Sequence, residues 1–257
     1  MLPDAPSGVK LDARRGDARG RYVAPGTHAA LAFIESRPRD VERVLLAGDA
    51  SADLIRRIGR AGVATEQVER SVLERAAGGV PHQGIVALGR APAGIPLEAL
   101  IEERPDLVLV LDEVTDPRNV GAILRSAEAA GAGGVLLARD RAPHLSPALV
   151  KAAAGAVEWL RLVRVVNVAR AVDALRDAGY WTIGLAGEAE VDLFSPGAVP
   201  GLPVALVVGS EGEGIRPLVR RSCHRLVRIP MRGRVESLNV SVAAAVALFE
   251  IRRAHPD

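Results

Sequence analysis

The sequence is short of the residues that would commit it to several chemistries. Its 257 residues include one cysteine, Cys223, so neither an internal disulfide framework nor a cysteine-based zinc cluster is available, and a buried filler suits this thiol better than a nucleophile. The five histidines are scattered without metal-ligand spacing, and no metal is expected. No apolar run approaches the roughly 20 residues of a membrane helix, and the N-terminus has no basic, then apolar, then small-residue signal. A cytoplasmic protein that touches no membrane is the expectation. Neither G-x-G-x-x-G after the first strand of the second half nor G-x-x-x-x-G-K-[ST] occurs, and Ser210 sits in Gly-Ser-Glu-Gly rather than G-x-S-x-G. Standard dinucleotide, P-loop and hydrolase-elbow readings therefore find no support. Lysine is nearly absent as well: with only Lys10 and Lys151 present, arginine carries almost all the positive charge. Planar guanidinium groups suit phosphate recognition, although a codon bias of the source genome gives the same count. A formal net charge of +2 is too small to argue for nucleic acid by itself, while a pI of about 9.1 leans that way.

What is present is an apolar fraction of 49%, enough for one large domain or two ordinary ones. Residues 1–20 mix Asp, Arg, Gly and Pro without periodicity and read as a flexible tail. Residues 21–89 alternate helical and strand patterns: helices over 28–35, 52–61 and 71–77, strands over 41–47, near 63 and over 85–88. That alternation predicts a small α/β domain. Residues 90–105 form a linker, opened by Arg90-Ala-Pro-Ala-Gly-Ile-Pro96, where two prolines and a glycine interrupt every period. Residues 106–257 form a second α/β domain. Short apolar strands (107–111, 135–138, 162–165, 181–186) separated by helices (to 130 after Asp116-Pro117, 146–155, 168–178) predict a mostly parallel sheet.

Three stretches of this second domain carry the chemistry. Asn119-Val-Gly-Ala-Ile-Leu-Arg125 lies on the first helix, Gly209-Ser-Glu211-Gly-Glu-Gly214 ends an apolar run, and Ile229-Pro-Met231 leads through Ser237-Leu238-Asn239 into the apolar stretch 240–251. Each has an ordinary structural reading. Arg125 can pair with Glu128 at helical spacing, the glycine-rich turn can be a flexible connection, and Ser237 and Asn239 can cap a helix. Together, at strand ends of an open α/β sheet, they describe a loop-built ligand site.

These motifs resemble those of the SpoU/TrmH branch of the SPOUT methyltransferases. The match runs from residue 107 to 253 through Asp116-Pro-Arg-Asn119-Val-Gly-Ala-Ile-Leu-Arg125-Ser-Ala, Val208-Gly-Ser-Glu211-Gly-Glu-Gly, and Ile229-Pro-Met-Arg-Gly-Arg-Val-Glu-Ser237-Leu-Asn239-Val-Ser-Val-Ala. The front block, through Gly26-Thr-His28-Ala and His82-Gln83-Gly84, resembles the L30e-like substrate-binding domain that precedes the catalytic domain in members acting on a guanosine of 23S ribosomal RNA. Pro81 stands where those members commonly have Asn. The resemblance implies a trefoil-knotted catalytic domain, S-adenosylmethionine as cofactor, RNA as partner, a homodimer, and 2′-O-methylation of a ribose. Transfer RNA methylation, ribosome-directed resistance methylation and a non-catalytic RNA-binding protein are the alternatives.

By the same likeness Gly187, Gly209, Ile229, Met231 and Leu238 hold the cofactor, and Arg125, Asn119, Glu211, Ser237 and Asn239 form the catalytic set. A guanidinium keeps its proton to above about pH 12, so Arg125 is expected to bind the neighbouring phosphate and stabilise charge growing on the 2′ oxygen, not to act as a literal base. Asn119 would orient Arg125 or the ribose, and Glu211 would fix Arg125 or another group that contacts substrate. The front domain would supply salt-dependent RNA affinity through arginines such as Arg56, Arg57 and Arg60. The stretch 240–251 is either dimer contact or plain core.

Overall fold

Valine- and leucine-rich runs five to seven residues long are too short for buried helices and long enough for strands, and in the computed structural model, which describes residues 21–256, they form two sheets. The tail read over residues 1–20 lies outside the described residues. The first sheet takes β1 (Arg21–Pro25), β2 (Val41–Ala47), β3 (Thr65–Val68) and β4 (Ile85–Arg90) in the order β1-β4-β2-β3. β4 runs antiparallel to both neighbours, and β2 and β3 are parallel. Around it lie α1 (Thr27–Ser36), α2 (Ala52–Ala61) and α3 (Arg70–Ala76). The Ser51 hydroxyl accepts from the Leu54 N–H to start α2, and Gly62, at φ 65°, ends it in the left-handed conformation that glycine adopts without strain.

Local pattern did not reveal β1. Arg-Tyr-Val-Ala-Pro is short and ends in proline, and pairing with β4 more than sixty residues away makes it a strand. The stretch read as a linker also holds a helix, α4 (Leu97–Glu103), which starts immediately after Pro96. Leu100 is fully buried, its methyl carbons against Gly134, where a Cβ would meet them at 2.5 Å. The prolines interrupt the period without releasing the chain from the core.

The second unit contains β5 (Leu107–Asp112), α5 (Pro117–Ala129), β6 (Gly134–Ala138), α6 (Pro147–Ala153), a 3-10 turn (Ala156–Glu158), β7 (Arg161–Val165), α7 (Val168–Asp177), β8 (Trp181–Leu185), β9 (Val191–Asp192), β10 (Val204–Gly209), α8 (Pro217–Ser222), β11 (Arg225–Arg228) and α9 (Val240–Ala254). Its strands lie in the order β7-β6-β5-β10-β8-β11-β9 and every pairing is parallel. Every residue of β5, β6 and β10 is buried, as befits strands covered on both faces. On one face α5 packs against α6 and α9, and the front unit docks on α6. On the other, α4, α7 and α8 cover Val108, Val110, Val163, Ala205 and Val207.

Because all seven strands point the same way, their carboxyl ends share one edge. The order β5-β10-β8-β11 places the connections that follow these four strands side by side, and here the strand sequence doubles back on itself. Ligands of open α/β sheets bind at such a reversal.

Candidate active site

Asn119 is set by the start of α5. The Asp116 carboxylate accepts from the N–H groups of Arg118 (2.7 Å) and Asn119 (3.3 Å), Pro117 occupies the first turn, and the Arg118 N–H holds the Asp116 carboxyl below its usual range. The buried face of α5 is Val120, Gly121, Ile123, Leu124 and Ala127, which leaves Arg118 and Arg125, seven residues apart, on the exposed face.

Glu211 is set by the turn after β10. Ser210 and Gly214 exchange backbone hydrogen bonds of 3.1 Å, and Gly212 and Gly214 hold positive φ of 89° and 69°. A Cβ on Gly209 would collide with the backbone of Gly214 and Ile215. The room that glycine leaves at 209 is therefore filled by this chain's own turn, whereas the motif alone suggested close approach of a cofactor. The turn folds back over the strand and carries Glu211 at its tip.

Three motifs meet there. The Asn119 side chain donates to Glu211 Oε1 (2.8 Å), Asn239 Nδ2 donates to the same oxygen (2.8 Å) and to Asn119 Oδ1 (3.1 Å), and Asn239 Oδ1 caps α9 by accepting from the Ser241 N–H (2.9 Å) and hydroxyl (2.5 Å). Residues 92 and 120 positions apart in sequence close one polar ring. The other oxygen of Glu211 accepts nothing among the described residues, which leaves an exposed acceptor at the centre of the edge.

Arg125 stands outside the ring, two turns further along α5. It is exposed, and the pairing with Glu128 that its spacing permits is not formed: the three- or four-residue ion pairs among the described residues are Arg37–Asp40, Arg56–Asp53, Arg176–Asp173 and Arg253–Glu250. Glu211 binds the two asparagines and not Arg125. Ser237 lies in the exposed, irregular segment before α9, and Asn239 supplies the helix cap in its place.

The residues assigned to the cofactor lie along the same edge. Gly187 is exposed in the turn after β8, and a Cβ there would meet nothing within 4 Å. Ile229 and Met231 are half-buried after β11, and Leu238 is 37% exposed. The Ala186 N–H donates to the Val227 carbonyl (2.9 Å), which holds the start of the connection after β8 against β11. Two cavities, of about 250 and 300 Å³, lie elsewhere: one in the front unit beside Gln83, Arg57 and Arg70, the other between residues 193–199 and the end of α9. Among the described residues no cluster of His, Cys, Asp or Glu is arranged to hold a metal.

A second polar cluster escaped motif reading. Asp112, fully buried at the end of β5, accepts from the Arg216 N–H (2.9 Å), Nε (2.9 Å) and Nη2 (2.6 Å), while Arg216 also pairs with Glu113 (2.7 Å), which Arg141 contacts in turn. The Asp112 contacts hold the Arg216 guanidinium above its ordinary pKa. The available signal was a carboxylate closing the apolar run Leu107 to Leu111, since a buried charge demands a partner. Cys223 is half-buried, and burial pushes its thiol up to about 12, as suits a filler.

Comparison with known proteins identifies the family of this fold. Residues 106–249 match the SpoU rRNA Methylase family, and residues 23–93 match the family described as RNA 2′-O ribose methyltransferase substrate binding. The chain is 42% identical, over 89% of its length and 96% of the relative's, to the 23S rRNA (guanosine-2′-O-)-methyltransferase RlmB of Photobacterium profundum. Among solved structures it resembles the AdoMet-bound rRNA methyltransferase of Sinorhizobium meliloti (TM-score 0.77, 25% identity, 93% of this chain and 89% of that one). It also resembles the SpoU methyltransferase AviRb of Streptomyces viridochromogenes in complex with AdoMet (TM-score 0.76, 27% identity, 91% and 90%). A match covering more than half of the chain, a relative at 42% identity over nearly its whole length and a shared parallel-sheet architecture make the chain a member of the SpoU rRNA methylase family.

Proposed function

We propose that the protein methylates the ribose 2′-hydroxyl of a guanosine in 23S ribosomal RNA, with S-adenosylmethionine as methyl donor. The observation that carries this reading is the ring of Asn119, Glu211 and Asn239, in which three separated motifs of a methylase family join at the reversal point of a parallel sheet, beside exposed Arg118 and Arg125. A relative that matches end to end and carries the 23S guanosine name favours this substrate over transfer RNA.

The connections after β8, β10 and β11 fit the donor. They offer an open glycine at 187 and half-buried apolar side chains at 229 and 231, with Leu238 beside them, a lining suited to an adenosine group. S-adenosylmethionine supplies a methyl group already activated on a sulfonium, so the chain's own work is placement and charge. The Arg125 guanidinium binds the phosphate next to the target ribose and stabilises negative charge on the 2′ oxygen. Arg118 on the same exposed face adds a second phosphate contact. Glu211 holds Asn119 and Asn239 in place and turns its open oxygen toward the ribose, and Ser237 lies in the segment that shapes the substrate side.

Residues 21–89 act as the RNA-binding unit, joined through 90–105 to the methyltransferase unit at 106–257. Of the arginines of α2, Arg60 is the one outside an ion pair among the described residues, since Arg56 and Arg57 are engaged by Asp53 and Glu35. A trefoil knot in the second unit and action in the cytoplasm belong to the same reading. Homodimerisation does too: α9 buries Ala244, Ala247, Leu248 and Ile251 inward yet exposes Val242 (48%) and Phe249 (52%), so it serves as core on one side and offers a contact face on the other. The test is to map 2′-O-methylation of 23S ribosomal RNA in cells with and without this chain, alongside calorimetry with S-adenosylmethionine. Loss of one guanosine methylation on deletion is expected. An unchanged map together with no cofactor binding would leave a non-catalytic RNA-binding protein.

A further inference from the structure

Between the two units the structure carries a joint that the methyl-transfer reading does not use. Glu158, in the 3-10 turn after α6, has a side chain only 1% exposed. It accepts from the Tyr22 hydroxyl (2.7 Å), from Arg37 Nε (2.8 Å) and, more weakly, from the Ser36 hydroxyl (3.4 Å), all of the front unit. Arg37 is itself held by Asp40 (2.9 Å) and the Arg90 carbonyl (3.1 Å), with its guanidinium 4.6 Å from the Phe33 ring centre and 5.6 Å from that of Tyr22. A second tie lies in the last turn of α6, where Lys151 Nζ donates to Gln83 Oε1 (2.6 Å).

Small residues press the same segment against both neighbours. A Cβ on Gly155 would lie 2.6 Å from Ala32 of α1, and one on Gly121 of α5 would lie 2.5 Å from the Leu149 carbonyl and 2.6 Å from Ala152 of α6. One core cluster runs without a break from Tyr22, Ala29 and Phe33 through Val150, Ala153 and Val157 to Val120 and Ile123. α6 thus touches the front unit on one side and, on the other, the helix that bears Asn119 and Arg125.

We infer that residues 147–158 form a rigid strut that sets the distance between the front unit's RNA contacts and Arg125, with Glu158 as the positioning residue that locks it. Close-packed interiors transmit displacement because they have no slack to absorb it. The target nucleotide is then chosen by its separation in the folded RNA from the segment gripped by the front unit. This rests on the RNA methylation reading for its consequence, though not for the lock itself. Arg37 is the charged partner of the buried carboxylate, and without it the joint loosens to let water reach Glu158.

The test uses the full chain. Glu74→Cys and Glu128→Cys place exposed labelling sites on α3 and α5, in a Cys223→Ser background that removes the half-buried native thiol. Spin–spin distances are measured in the otherwise native chain, in Arg37→Met, and in the double variant Arg37→Met/Glu158→Leu, which removes both charges. A single narrow distance is expected in the first and third, and a broad distribution in Arg37→Met. In unlabelled proteins, Arg37→Met should raise KM for 23S ribosomal RNA about tenfold, with kcat and S-adenosylmethionine affinity within twofold, and the double variant should restore KM. An unchanged narrow distance in Arg37→Met, a double variant as broad as the single one, or a fall in kcat with unchanged KM would each overturn the strut. If the distances behave as expected while no chain methylates RNA, the lock stands and the functional reading fails.

Discussion

Two polar clusters bracket the turn after β10, and they are built on opposite plans. Asp112 and Arg216 form an attachment in which one fully buried carboxylate receives three hydrogen bonds from one half-exposed arginine. Asn119, Glu211 and Asn239 form an exposed ring drawn from three motifs, with an acceptor left open and two guanidinium groups nearby. The first cluster satisfies itself and the second does not. A buried carboxylate that is fully satisfied contributes to holding a loop, because removing its donors strands a charge away from water, whereas unsatisfied groups at a sheet edge are free to act on something else. Conspicuous polar residues on either side of one short turn thus divide between structure and chemistry according to what remains unpaired.

The largest expected effect separates the two by stability. Arg216→Met strips the buried Asp112 of its two guanidinium hydrogen bonds, leaving only the backbone N–H of residue 216, and should cost about 2–3 kcal/mol in urea unfolding, while Glu211→Gln, at an exposed site, should cost less than about 1 kcal/mol. Equal losses would erase the distinction. Activity should reverse the order. Arg125→Ala should lower kcat by about 10²–10³, the usual range for losing one group that stabilises developing charge, with S-adenosylmethionine affinity by calorimetry within twofold. A parallel collapse of cofactor binding would move Arg125 from the chemistry to the cofactor site.

Asn239 belongs to both plans, since it caps α9 and closes the ring. Asn239→Ser keeps a capping side chain but loses the amide donor to Glu211, so stability should fall by less than about 0.5 kcal/mol while turnover still falls by about tenfold. Asn239→Ala should add about 1 kcal/mol of lost stability to the same loss of turnover, and a serine variant with full activity would reduce Asn239 to a cap. The smallest effect belongs to the front unit. Arg60→Ala should leave kcat unchanged and reduce the slope of log affinity against log salt by about 1, as expected for one phosphate contact, in filter binding to 23S ribosomal RNA.

Legibility of the sequence followed the range of the interactions concerned. Helix α2 could be read to the residue because Ser51 and Gly62 mark its ends locally. The start of α5 was equally plain from Asp116-Pro117. Strand β1 was invisible because its partner, β4, is distant, and α4 was hidden by prolines that break periodicity without breaking contact with the core. At the site, motif likeness picked out the members of the ring but not who holds whom: Glu211 goes to two amides, and the space at Gly209 goes to the chain's own backbone.

By itself the sequence determined the α/β class, most element boundaries, the three motifs and the family likeness, because spacing, capping and glycine placement act over a few residues. Only the tertiary structure decided that Asp112 and Arg216 form one attachment, that Arg125 stands free of Glu128 and Glu211, and that α6 ties the front unit to the helix of Asn119. Those outcomes depend on strand order and on which helices share a face, and contacts between residues about a hundred positions apart leave no periodic trace in the chain.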